Sequence, residues 1–119
     1  MICQWHLDIV YGKQAEAVRA MRAWGAEKFA SSQFRLARGS RLSAGLVGVS
    51  ASHLVDEYWF DSLADFEAAL AGMAAPQFKP HSDALLPYVV PGSQHWVVYR
   101  VLDEAAPAEA QAGSGLERR

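Results

Sequence analysis

A single cysteine, Cys3, excludes any internal disulfide. The opening residues MICQWHLDIV carry neither a basic flank nor an apolar run of secretory length, and with the lone thiol they point to a cytoplasmic protein. No stretch approaches the roughly 20 apolar residues that span a bilayer, so no membrane partner is expected. Charge of one sign is also scarce: 11 Lys plus Arg face 13 Asp plus Glu, with no block of like charge. Nucleic acid, which is held by clustered Lys and Arg, is not an expected partner. No nucleophile elbow, phosphate loop or dinucleotide fingerprint occurs. No His-x-His, no histidine pair at i, i+4 and no cysteine pair is present, so no metal site is expected.

The 119 residues suffice for one domain with its own core. Residues 2 to 11 alternate, with Cys3, Trp5, Leu7, Ile9 and Tyr11 on one side and Gln4, His6 and Asp8 on the other, which predicts a strand. Gly12 ends it. KQAEAVRAMRAWGAEKFA then places Ala17, Val18, Met21, Trp24 and Phe29 near helical spacing, with Gly25 weakening the helix locally unless close packing requires it. SSQ marks a turn. FRLARGSRLSAG alternates from Phe34 onward and reads as a second strand, which puts Arg38 on it, and GLVGVS reads as a hairpin connection. ASHLVDEYWF is a third strand, with His53, Val55, Glu57 and Trp59 on one face and Leu54, Asp56, Tyr58 and Phe60 on the other.

Ser62 followed by Asp65 has the spacing of a capping box, and Leu63, Phe66, Leu70 and Met73 form the apolar stripe of a second helix. The short link from Phe60 folds that helix back across the sheet, where its stripe must be buried. AAPQFKPHSDALLPYVVPGSQ has four prolines and reads as a long connection with a helical turn at HSDALL; connections of this length are often functional. HWVVYRVL is a fourth strand, carrying Arg100. The order is β-α-β-β-α-β, a ferredoxin-like α+β fold: a four-stranded antiparallel sheet with two helices on one face. The domain is expected over 1–102, with residues 103–119 a disordered tail. The rows of Trp5, Trp96 and Val97 leave too much apolar surface for both sheet faces to stay wet, and a second copy covering the bare face predicts a homodimer.

VDEYWFDSLADFEAAL, the YGK turn before the first helix and the closing HWVVYRVL resemble the dimeric α+β barrel superfamily, which includes EthD-like, antibiotic-biosynthesis-monooxygenase-like, NIPSNAP-like and muconolactone-isomerase-like proteins. The resemblance spans about residues 1 to 102. It implies a ligand pocket between sheet and helices, lined by the strand rows that face the helices and by the 76–92 connection. It also implies a small cytosolic enzyme or accessory protein, independent of any cofactor, that acts on an aromatic or polyketide-like molecule by proton transfer or substrate-assisted oxygenation. A monooxygenase, an isomerase and a cyclase all fall within that range. A non-catalytic dimeric module that binds a small ligand is the alternative. Haem binding or degradation is a third reading, resting on Gln4, Trp59 and His81 in places loosely similar to those of haem-degrading members. The first helix lacks the late histidines of EthD-like proteins, so no role carries over from them.

Among the residues themselves, His81 and His53 are the candidate bases, because an imidazole titrates near neutrality and His81 neighbours Asp83. Tyr58 is the candidate hydrogen-bond donor. Trp59 and Trp24 are candidate walls for a flat, hydrophobic or aromatic ligand, and Arg38 is the candidate partner for its anionic group. His6 and His95 read as surface groups, and Cys3, on the apolar row, reads as core.

Overall fold

The computed structural model describes residues 1–105. Four strands, β1 (Ile2–Asp8), β2 (Gly39–Ala44), β3 (His53–Trp59) and β4 (His95–Tyr99), form one sheet in the order β2-β3-β1-β4 with every neighbour antiparallel. Helices α1 (Gln14–Ser31), α2 (Leu63–Gly72) and α3 (Lys79–Leu85) complete the fold. This is the ferredoxin-like arrangement that the order of the elements predicts. The expected disordered tail falls, beyond Ala105, outside the described residues.

β1 lies at the centre and sets the two faces. Its odd residues Cys3, Trp5 and Leu7 are buried beneath the helices, paired across the sheet with Tyr58, Asp56 and Leu54 of β3. Its even residues Gln4, His6 and Asp8 emerge on the helix-free face opposite Glu57, Val55 and His53. One residue of slip would exchange these sets, so burial of the odd row fixes the register.

The core has two halves. Toward one end of the sheet Trp5, Leu7, Ile9 and Leu54 pack with Ala17 and Met21 of α1 and with Leu85 and Val89 of the 76–92 connection. Toward the other, Cys3, Tyr58 and Phe60 pack with Phe34 and with Phe66 and Ala69 of α2. Trp96 of β4 packs against both halves.

Three expectations need correction. The second strand starts at Gly39, not at Phe34, because the Ser32 hydroxyl donates to the Lys28 carbonyl at 2.6 Å, accepts from the Phe34 N–H at 3.1 Å and caps a 3-10 turn over Gln33–Leu36. That turn buries Phe34 completely, and Arg38 consequently lies outside the strand. The connection after α2 supplies a third helix, α3, which packs on α1 and closes the core over Trp5 and Leu7. Gly25 has open space where a side chain would project, so no close packing accounts for it.

The link from β3 into α2 forms as expected: the Ser62 hydroxyl accepts from the Asp65 N–H at 3.1 Å. Phe66 and Ala69 are the buried positions of α2, and Leu63 is largely exposed. Ser62→Ala should lower the unfolding free energy by about 1 kcal/mol, read as a reduced urea midpoint with an unchanged far-ultraviolet spectrum.

Candidate functional site

The seam between the two halves of the core holds the protein's one buried lysine. Lys28 follows Ala17, Met21 and Trp24 on the inner stripe of α1 and is 3% exposed. It meets Asp56, which stands in the otherwise apolar inner row of β3 between Leu54 and Tyr58. The ammonium donates to the Tyr58 hydroxyl at 3.2 Å, and that hydroxyl donates to Asp56 Oδ2 at 2.6 Å. Lys28 Nζ lies 3.7 Å from the same carboxylate oxygen, so Tyr58 bridges the two charges.

Aromatic rings enclose the group. Lys28 Nζ is 4.6 Å from the ring centre of Trp24, 5.1 Å from Phe34, 5.2 Å from Trp5 and 5.3 Å from Tyr58. Their π-faces replace part of the lost hydration of the cation. Trp5 and Trp96, paired across β1 and β4, stack at 6.2 Å, and Trp24 meets Trp5 edge-on at 5.6 Å.

Burial pulls the Lys28 amine below the ordinary lysine range, against the opposing pull of Asp56. Burial likewise pushes Asp56 above the usual carboxylate range, against Lys28 and Tyr58. The Tyr58 phenol is raised by burial and by the adjacent Asp56 charge. All three shifts favour uncharged forms.

Beside this triad lies a cavity of about 170 Å³, walled by Trp5, Trp24, Lys28, Phe34 and Trp96 and bordered by Gln94. A hollow of about 30 Å³ shares Trp5, Trp24 and Gln94 with it and reaches Leu85 and Val89 of the 76–92 connection. The Trp24 indole N–H is the only buried side-chain polar atom without a hydrogen-bond partner among the described residues. The space is thus mainly apolar, of single-ring size, with Lys28 as the one charged residue on its wall. It has no room for a haem macrocycle, and His81 does not line it.

Of the residues singled out from sequence, Tyr58 and Trp24 come together here. His81 is half-buried on α3 and lines neither of these spaces. Arg38 and Trp59 border a separate recess of about 590 Å³ that is open to solvent and closed on one side by Val101 and Asp103–Ala105. Arg38 itself pairs with exposed Asp61 at 2.9 Å. Lys28 and Asp56, the two charged members of the buried group, are not among the candidates drawn from sequence. The available signal was one opposite charge in each of two apolar registers, at 17-21-24-28 and 54-56-58-60.

His53 lies on the helix-free face, in a continuous polar chain. Its Nδ1 meets Asp8 Oδ1 at 2.8 Å and its Nε2 meets His6 Nδ1 at 2.8 Å. His6 Nε2 meets Gln4 Oε1 at 2.9 Å, and Gln4 Nε2 donates to Glu57 Oε1 at 2.8 Å. The other Glu57 oxygen accepts from the Trp59 indole at 2.6 Å and pairs with Arg41 at 3.0 Å. Among the described residues, no group of three or more His, Cys, Asp or Glu is arranged to hold a metal ion.

No protein-family model and no curated protein matches the sequence. Solved structures do match. A NIPSNAP domain protein of Burkholderia xenovorans aligns at a TM-score of 0.61 with 17% identity, over 88% of this chain and 100% of that one. A proposed antibiotic biosynthesis monooxygenase of Caulobacter crescentus aligns at 0.66 with 13% identity, over 86% and 89%. SnoaB, a cofactor-independent oxygenase of Streptomyces nogalater, aligns at 0.62 with 18% identity, over 87% and 94%. The fold is the four-stranded ferredoxin-like α+β fold that these structures share. At these identities the likeness concerns architecture, while the activity belongs to residues placed on it.

The helix-free face should make the protein acid-sensitive in two stages. Burial, His53 and His95 hold His6 below the ordinary histidine range, so its contribution to stability is present above about pH 6.5 and is lost as pH falls through its lower folded value. Glu57 is pushed up by burial, but hydrogen bonds from Trp59 and Gln4 and the Arg41 charge outweigh this and hold it low. Its contribution is therefore lost below about pH 4.3. Urea titrations across this range should show both stages, and Glu57→Gln should remove the second.

Proposed function

We propose that the chain is a cofactor-independent enzyme that removes a proton from a single-ring phenolic or enolic substrate held between sheet and helices. The observation that carries this reading is the cavity of about 170 Å³ with Lys28 on its wall, the amine joined behind that wall to Tyr58 and through it to Asp56. A cavity of about 150 Å³ accepts benzene, so a space of about 170 Å³ takes one ring. The rings of Trp5 and Trp96 offer stacking surface.

The chemistry follows from the relay. A proton can pass from Lys28 through the Tyr58 hydroxyl to Asp56, leaving a neutral amine and a carboxylic acid, which the low-dielectric surroundings favour. The amine then takes the proton of the bound hydroxyl. The ammonium so formed stays beside the phenolate or enolate and stabilises its charge. An electron-rich anion held beside a cation is the common starting point of isomerisation and of cofactor-free oxygenation, and the fold match to SnoaB supports the second outcome.

para-Nitrophenol tests this directly, because its phenolate absorbs at longer wavelength than the phenol. Bound at a pH below its own pKa, it should show the phenolate band and quench fluorescence from the cavity tryptophans. Lys28→Met should abolish the band and weaken binding by about 10-fold or more. Trp59→Phe, on the opposite face, should leave both unchanged. Binding without the phenolate band would instead support a non-catalytic ligand-binding module.

We further propose that two copies associate through their helix-free sheet faces. The Asp8–Glu57 chain already satisfies its polar groups within one subunit, so it can be covered without losing hydrogen bonds, and half-buried Val55 and Val97 on the same face supply apolar contact. Sedimentation should give a dimer, and Val55→Lys should give a folded monomer. A wild-type monomer at high concentration would overturn the pairing.

A further inference from the structure

We propose that Lys28 is a Schiff-base lysine: its amine, on the wall of the cavity and joined through Tyr58 to Asp56, condenses with a single-ring aldehyde or ketone. The inference rests on the reading that this cavity takes a one-ring ligand, and adds that a carbonyl ligand is bound covalently.

The chain has three lysines, and the other two behave as surface groups. Lys13 pairs with Glu16 at 3.7 Å and Lys79 with Asp83 at 3.0 Å, each one helical turn away and largely exposed. Lys28 alone is buried, and it is the only lysine on the cavity wall. Its surroundings give an ammonium one hydrogen-bond acceptor, the Tyr58 hydroxyl at 3.2 Å, with Asp56 at 3.7 Å and ring faces in place of the remaining hydration. An arginine could not release its proton there, and a methionine would fill the same space without burying a charge. A lysine is the residue that can alternate between cation and nucleophile, and the burial-driven shifts of Lys28 and Asp56 both lean toward the nucleophilic form.

The step balances on the groups present. After the relay has moved one proton from Lys28 to Asp56, the amine lone pair attacks the carbonyl carbon and a C–N bond forms. The carbonyl oxygen takes the Asp56 proton through Tyr58, and the nitrogen returns one proton to the carboxylate. The carbinolamine hydroxyl then accepts that proton and leaves as water, and the nitrogen lone pair closes the C=N bond. The sum is ammonium plus carbonyl giving iminium plus water, without oxidant or reductant. The resulting iminium lies beside the Asp56 carboxylate, as the ammonium did.

Reductive trapping tests the inference. The folded full chain is treated with benzaldehyde and sodium cyanoborohydride at neutral pH, and the benzylated positions are mapped by peptide mass spectrometry; phenol binding is followed in parallel by tryptophan fluorescence. Benzylation of Lys28 ahead of Lys13 and Lys79, suppressed by excess phenol, is the expected result. Asp56→Asn, which keeps the amine and removes the proton acceptor, should slow trapping by about 100-fold. If phenol binds but Lys28 reacts no faster than the surface lysines, the Schiff-base assignment is overturned and the cavity reading stands. If phenol does not bind and Lys28 is untouched, both are overturned.

Discussion

A lysine and an aspartate sealed between a sheet and its helices are the constraint around which this protein is arranged. Bringing two charges out of water costs several kcal/mol per ion, and an apolar pair of similar volume would generally serve stability as well or better. The fold accommodates them by surrounding the cation with ring faces and placing a phenol between it and the carboxylate. Tyr58, Trp5, Trp24 and Phe34 are therefore held by the charges as much as they hold them. The cavity is a consequence of the same packing, since flat rings gathered about a point charge do not close the space beside it.

The backbone positions these groups through one local device and one long-range one. Ser32 turns the chain at the end of α1, fixing Lys28 in the last turn of the helix and driving Phe34 beneath Tyr58, 4.7 Å ring to ring. The register of β1 against β3 and β4 then sets Asp56, Trp5 and Trp96 in one row across the sheet. α3 covers the far end of that row, so the cavity is bounded by elements distant in sequence and depends on the whole fold.

Much of this architecture was legible from periodicity. The alternation in β1 and β3, the stripes of α1 and α2 and the Ser62 cap are local patterns, and the order of the elements follows from them. Phe34–Arg38 misled because a capped turn can bury alternate residues as a strand does. The third helix was obscured by prolines, which the chain places in the opening turns of α3 and its flanking 3-10 segments, where a missing N–H is harmless. The site was only half legible. Tyr58 and Trp24 stood out as aromatics with a polar handle, but an eye on titration near neutrality falls on the histidines. Lys28 and Asp56 are remarkable only for the registers they occupy, 28 positions apart in sequence, and their meeting is decided by how α1 lies across β3.

The imidazole pair on the other side of the sheet limits how many hydrogens that face can carry. Glu57 fixes the orientation of the Gln4 amide, whose oxygen then requires a hydrogen on His6 Nε2; the Asp8 carboxylate requires one on His53 Nδ1; and the contact between the rings needs one more. With all these bonds made, three hydrogens serve four ring nitrogens, and the fourth nitrogen accepts at the ring-to-ring contact. A hydrogen on that nitrogen as well would set two N–H groups against each other and sever the bond between the rings, so the chain from Asp8 to Glu57 holds together only while one ring nitrogen stays bare.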